Sequence, residues 1–180
     1  MIIREMEKEG PEQTSGGSCE TRQGFRQDTS SKRTPKAHSA VPETEPRVAH
    51  VLIVDDSAYD ALLMGNAFEE ADLRHSIAMV RDGEEAMRYL SGEPPFSDEP
   101  MPDLVLLDLN MPRVDGFDVL AWARSEPRCK SVPIVMMSSS ENPADEGRAK
   151  ELGANDYRAK TANLDELRRF ALELDRMLKG

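Results

Sequence analysis

Five polar residues stand at the ends of short apolar runs, and their types suit phosphoryl chemistry. Asp55 and Asp56 follow Val51-Leu52-Ile53-Val54, and Asp108 follows Leu104-Val105-Leu106-Leu107. Ser138 follows Ile134-Val135-Met136-Met137, and Lys160 ends the run around Tyr157 to Ala159. Two carboxylates about 4 Å apart repel by roughly 4 kcal/mol at an effective dielectric of 20, so three gathered in one crevice need a counterion. Oxygen ligands without His or Cys, in a site with room for waters, favour a hard ion, and Mg²⁺ is the usual choice when phosphate is the substrate. Lys160 adds a positive charge that can pair with a carboxylate at rest and with a phosphoryl oxygen after transfer, and Ser138 can donate its hydroxyl to that oxygen. One Asp can then act as a carboxylate nucleophile while metal and Lys neutralise developing charge. Any one of these residues alone also reads as a solvated loop residue or a helix cap. The coincidence of three acids, a hydroxyl and a lysine, each at the end of its own apolar run, is what singles them out.

Such a crevice requires buried strands that deliver their ends to one edge. The four runs above, with Ile77 to Val80, are strand candidates of parallel-sheet character. Helix-length amphipathic segments lie between them: about Ala58 to Ala71, one starting near Gly83, Gly116 to Arg124, Asp145 to Leu152, and a last one. In the last, Asn163 stands three residues before Glu166 in a capping-box arrangement, and Leu164, Leu167, Phe170, Ala171, Leu174, Met177 and Leu178 follow helical spacing. Alternation of this kind implies an α/β fold, a doubly wound five-stranded parallel sheet flanked by five helices. In such folds the site lies at the carboxyl ends of the strands, where strand order reverses.

Composition divides the chain near residue 47. Residues 1 to 46 are mostly Ser, Thr, Gln, Gly, Pro or charged, too polar to offset the entropy of ordering, and read as a disordered tail; 47 to 180 read as the folded domain. The whole chain carries 34 acidic and 23 basic residues, a charge of −11. With 8 acidic and 7 basic residues in the tail, 26 and 16 remain in the domain, a balance of −10. That excess argues against nucleic acid as a partner, since phosphate backbones need clustered basic surface. No run approaches the roughly 18 apolar residues of a membrane span, and Met1-Ile2-Ile3-Arg4-Glu5 lacks a secretory apolar stretch. The expectation is a cytoplasmic protein without membrane contact. Cys19 and Cys129 form no CxxC, so neither a disulfide framework nor a zinc site is expected.

These residues resemble the receiver domain of two-component response regulators, which has a flavodoxin-like fold. Val54-Asp55-Asp56-Ser57 is similar to that family's acidic pair, and Leu107-Asp108-Leu109-Asn110-Met111-Pro112 with Asp115-Gly116 is similar to its phosphoacceptor segment. The intervals of 30 residues from Asp108 to Ser138 and 22 from Ser138 to Lys160 also fit. The resemblance covers residues 49 to about 178. It implies that Asp108 accepts phosphate from a sensor histidine kinase's phosphohistidine. It further implies that Asp56 binds Mg²⁺ directly, Asp55 largely through water, and Asn110 through its backbone carbonyl. Ser138 and Lys160 would hold the phosphoryl oxygens, and Tyr157 matches the switch aromatic, which moves inward as the Ser138 hydroxyl shifts. The alternative for Tyr157 is a half-buried edge-strand residue.

Two features depart from the family pattern. Thr161 follows Lys160 where the family commonly has a cis proline; a non-proline cis bond costs roughly 3 kcal/mol, which favours trans. The stretch Ser91 to Pro102 lengthens the connection before the third strand, and its four prolines forbid a regular helix. It is similar to the loop of stand-alone receivers paired with phytochrome-type kinases; otherwise it is a passive acidic surface loop. With no output domain expected after Gly180, signalling would pass through contacts with an unidentified downstream protein, by resemblance on the surface of the fourth helix, fifth strand and fifth helix. Homodimerisation stays open. The reading is a single-domain response regulator that assists its own phosphotransfer and dephosphorylation rather than an enzyme acting on other substrates. A phosphorylation-independent scaffold is the alternative. An Asp-nucleophile phosphohydrolase is disfavoured, because it wants an acid two residues after the nucleophile, where Asn110 stands. Limited proteolysis should trim the chain to near Arg47 and leave phosphorylation intact; loss of labelling on trimming would assign the tail a part in the reaction.

Overall fold

The computed structural model describes residues 3–4, 48–140 and 142–179. The strands are β1 (Ile3–Arg4), β2 (Ala49–Val54), β3 (His75–Val80), β4 (Leu104–Asp108), β5 (Ile134–Ser138) and β6 (Asp156–Ala159). The helices are α1 (Ala58–Glu70), α2 (Gly83–Ser91), α3 (Gly116–Ser125), α4 (Pro143–Glu151) and α5 (Leu164–Lys179). All strand pairs are parallel, in the order β1-β3-β2-β4-β5-β6. The chain steps outward from β2 to β3, returns past β2 to β4, and continues to β5 and β6. Strand order therefore reverses between β2 and β4, which places the crevice of a doubly wound sheet at their carboxyl ends.

The five expected strands are all present, and β1 adds a sixth at the edge of β3, pairing Ile3 with Ile77 and Arg4 with Ala78. Two residues of the segment read as a disordered tail thus belong to the sheet. The remainder of that segment, and the boundary at residue 47, lie outside the described residues.

Strand alternation sends side chains to two cores. Val51, Ile53, Leu104, Leu106, Val135 and Met137 pack with Met64 and Phe68 of α1 and with Leu167 and Leu174 of α5. Leu52, Val54, Val105, Leu107, Ile134 and Met136 face Leu90, Phe117, Leu120 and Ala149, from α2, α3 and α4. Every residue of β4 and β5 is buried, which is why those strands are unbroken apolar runs. Fully burying each large aliphatic or aromatic side chain stabilises the fold by about 1.5–3 kcal/mol.

Side-chain caps start the helices: Ser57, Asp82, Asp115 and Asn142 accept backbone N–H groups from the first turns of α1 to α4. Asn163 does the same for α5, accepting from Asp165 and Glu166 at 3.0 and 3.2 Å. The reciprocal half of the expected capping box is rerouted through Thr161. Its Oγ1 accepts the Asn163 N–H at 3.1 Å, and its hydroxyl donates to the Glu166 carboxylate at 2.8 Å. The peptide bond from Lys160 to Thr161 is trans; the cis bond among the described residues joins Pro94 and Pro95. The proline-rich loop after α2 is largely exposed but anchored to the core through Phe96. Phe96 is buried 5.3 Å from the Tyr89 ring, and the Tyr89 hydroxyl donates to the Pro100 carbonyl at 3.3 Å. Among the described residues no helix is long and apolar enough to cross a membrane.

At the amino end of the sheet, buried His75 lies with Nε2 3.3 Å from Asp175 Oδ1 and with its ring edge-on to Phe68. Asp175 also takes the Lys179 ammonium at 2.7 Å, so its charge is already matched. Burial pushes the His75 pKa below its ordinary value; Asp175 opposes this and Lys179 reinforces it. Below about pH 6.5 the unfolded chain therefore binds a proton that folded His75 resists, and stability rises with pH through that window. Lowering the pH from about 7.5 to about 5.5 should lower Tm, and His75→Gln should lose less over the same range. Identical pH slopes in the two proteins would remove His75 as the source.

Candidate functional site

Backbone hydrogen bonds carry the sheet ladder past the strand ends and so aim the polar side chains. The Asp55 N–H donates to Val80 O at 3.1 Å, the Leu109 N–H to Met137 O at 2.8 Å, and the Lys160 N–H to Ser138 O at 2.7 Å. Asp55, Asp108, Ser138 and Lys160 therefore stand at the ends of β2, β4, β5 and β6. Gly116 lets the start of α3 close over this edge: any Cβ there would overlap the Asp108 carbonyl and lie 2.9 Å from the Leu109 Cα. Leu109 and Met111, both buried, pin the intervening loop to the core.

The charges meet as their spacing suggests. One carboxylate oxygen from each of Asp55, Asp56 and Asp108 lies within 4.8 Å of the others. Asp55 and Asp108 are buried and Asp56 is exposed, so the triad runs from the interior to the mouth of the crevice. Lys160 Nζ lies 2.8 Å from Asp55 Oδ2, 3.0 Å from Asp108 Oδ1 and 3.3 Å from Asp60 Oδ2. Asp55 Oδ1 accepts the Ser57 N–H at 2.9 Å. Burial raises the Asp55 pKa above the usual carboxylate value; Lys160 and the Ser57 N–H oppose this, and Asp108 adds to it. Burial alone would lower the Lys160 pKa, but its contacts with Asp55 and Asp108 outweigh burial and raise it.

Asp108 Oδ1 is a buried oxygen whose neighbour Lys160, at 3.0 Å, is an ion-pair partner rather than a hydrogen-bond donor. One ammonium against this many carboxylates leaves net negative charge in a partly desolvated place. The all-oxygen donor set fits a hard divalent cation. A cavity of about 170 Å³ adjoins this cluster, bordered by Asp55, Asp60, Asp108 and Lys160 on one side and by apolar side chains such as Leu63, Met64 and Met137 on the other; Asp56 does not line it.

The remaining candidates surround this centre. Ser138 is fully buried, and its Oγ accepts the Ser140 N–H at 2.9 Å, which leaves its own proton free to donate. Tyr157 is half-buried, packs against the core and places its hydroxyl 3.5 Å from Ser140 O. Asn110 turns its side chain toward Ser139 Oγ at 3.5 Å. Asp60 is the residue that the linear pattern does not distinguish. Three positions after the cap Ser57, it has the spacing of a helix-capping acid, and only the fold turns it to Lys160.

The response regulator receiver domain, as a family, matches residues 51–171. The response regulator Rcp1 of Synechocystis sp. is 36% identical over 117 residues, which span 65% of this chain and 80% of Rcp1. Among solved structures, the phosphorylated cyanobacterial phytochrome response regulator RcpA aligns with a TM-score of 0.68 at 35% identity, covering 74% of this chain and 96% of RcpA. The Mn²⁺-bound form of Rcp1 aligns with a TM-score of 0.64 at 33% identity, covering 71% of this chain and 91% of Rcp1.

Removing the ammonium from buried carboxylates should be costly. Lys160→Met should destabilise the fold by about 3 kcal/mol in denaturant titration, with part of the loss recovered when millimolar divalent cation is added. Wild-type stability in the cation-free variant would contradict this electrostatic account.

Proposed function

The chain belongs to the response regulator receiver family, and from that membership we propose that Asp108 is the phosphoacceptor of a Mg²⁺-dependent switch driven by a histidine kinase. The observation that carries the reading is the buried Asp108 Oδ1, which lacks a hydrogen-bond donor yet lies beside Lys160, Asp55 and Asp56. Asp55, Asp56, Asp108 and the backbone carbonyl of Asn110 would hold the ion. When bound, it neutralises charge on the transferring phosphoryl oxygens.

A carboxylate oxygen of Asp108 forms the new P–O bond as the P–N bond of the donor phosphohistidine breaks. The electron pair leaves with the imidazole, which takes up a proton. Lys160 and the free proton of the Ser138 hydroxyl bind the phosphoryl oxygens. As Ser138 turns toward them it loosens its hold on the Ser140 N–H, and Tyr157, whose hydroxyl faces the Ser140 carbonyl, follows. The added charge, about two units, shifts a pre-existing population toward the active arrangement. The surface of α4, β6 and α5 would present the change to a downstream protein. The similarity to a phytochrome response regulator supports a phytochrome-type kinase as the phosphate source. In this reading residues 47–180 form the receiver, with Ile3 and Arg4 added at the edge of its sheet, the protein works in the cytoplasm, and its site assists both phosphotransfer and dephosphorylation.

Incubation with a small acyl-phosphate donor and Mg²⁺ should add one acyl-phosphate mass increment to the wild type and none to Asp108→Asn. Absence of the increment from the wild type would favour a phosphorylation-independent scaffold, and equal labelling of the variant would move the acceptor elsewhere.

A further inference from the structure

Three carboxylates, those of Asp55, Asp108 and Asp60, crowd the Lys160 ammonium within 3.3 Å, and the contact with Asp60 is a hydrogen bond. If Lys160 is to move onto a phosphoryl oxygen on Asp108, it must draw away from at least one of them. Asp55 and Asp108 are poor candidates, because their side chains are 8% and 3% exposed and a carboxylate abandoned there would be uncompensated. Asp60 differs on both counts that matter. Its contact is the longest, at 3.3 Å, and its side chain is 39% exposed, so water can take over when Lys160 leaves.

The position of Asp60 also has a simpler reading, as the acid of a capping box with Ser57. In that arrangement its carboxylate would accept the Ser57 backbone N–H. That N–H donates to Asp55 Oδ1 at 2.9 Å instead, and the Asp60 carboxylate accepts from Lys160. Its own N–H still donates to Ser57 Oγ at 3.2 Å, so helix capping does not depend on its side-chain charge.

We propose that Asp60 is a positioning residue, the resting counter-anion that Lys160 exchanges for a phosphoryl oxygen during phosphorylation. It rests on the assignment of Asp108 and Lys160 made above. Asp60 holds the ammonium between the acceptor carboxylate and the exposed first turn of α1, and it must be released each time the acceptor is charged. Removing its charge removes a competitor of the phosphoryl group without touching the acceptor or the metal-binding acids.

The test uses the full chain with a small acyl-phosphate donor and Mg²⁺, following the rate of acyl-phosphate formation against donor concentration by intact mass. Asp60→Asn should raise the rate constant at saturating donor by about threefold and leave the half-saturating donor concentration unchanged. Asp60→Glu should return the rate to that of the wild type, and Glu69→Gln, which removes a charge from the far end of α1, should change neither quantity. A change confined to the half-saturating concentration would mean that Asp60 acts by long-range repulsion of the anionic donor and would overturn the proposal. An unchanged Asp60→Asn protein whose melting curve matches the wild type would overturn it as well. Failure of the wild type itself to label would count against the Asp108 assignment rather than against Asp60.

Discussion

Negative charge concentrated where the sheet reverses its strand order is the constraint on which this structure turns. Asp55, Asp56 and Asp108 bring oxygens within 4.8 Å of one another, two of the three residues are buried, and Lys160 is the cation placed among them. At an effective dielectric of 20, each such carboxylate pair repels by about 3–4 kcal/mol, and burial of Asp55 and Asp108 limits how far water can relieve their repulsion. The arrangement persists because β2 and β4, which deliver the three acids, are buried along the stretches that approach the site. A hydrophobic core with helices on both faces holds together charges that would otherwise separate.

The same geometry ties the site to the rest of the fold through few bonds. The Lys160 N–H donates to the Ser138 carbonyl, so the cation and the buried hydroxyl share one backbone link. The next residue, Thr161, feeds directly into the start of α5 by accepting the Asn163 N–H and donating to Glu166. A proline at that position would have no hydroxyl and could make neither bond. Movement of Lys160 toward a new anion would therefore be felt at the first turn of α5, one of the two helices covering the face formed by Val51, Ile53 and Met137. On the other side of the crevice, Arg113 stands at φ 69° and pairs with Asp82, the cap of α2, at 2.8 Å. The loop that follows Asp108 is thus fastened to a second helix start.

Much of this was legible in the linear pattern, for identifiable reasons. Continuous apolar runs such as Leu104 to Leu107 and Ile134 to Met137 mark strands buried on both faces, and the polar residue that ends each run has to sit at the sheet edge. The weak apolar pattern around α4 has a counterpart in its packing, since Ala149 is its buried residue. Other features depended on pairings between distant segments. Ile3 and Arg4 look like part of a polar tail until β3 presents an edge to them. Phe96, lodged among prolines and acids, gives no sign that it packs on Tyr89.

The residue types and their intervals determined by themselves that three acids, a hydroxyl and a lysine would converge, because parallel βα alternation leaves only one edge for strand ends to share. They also determined the chemistry that those groups can support. The tertiary structure alone decided how the single ammonium is divided among its carboxylates. Asp60 and Lys160 are 100 residues apart in the chain, and nothing local to either predicts their contact. Sequence spacing carries the strand periodicity, whereas the partner of a charge depends on which helix start the folded sheet sets beside it.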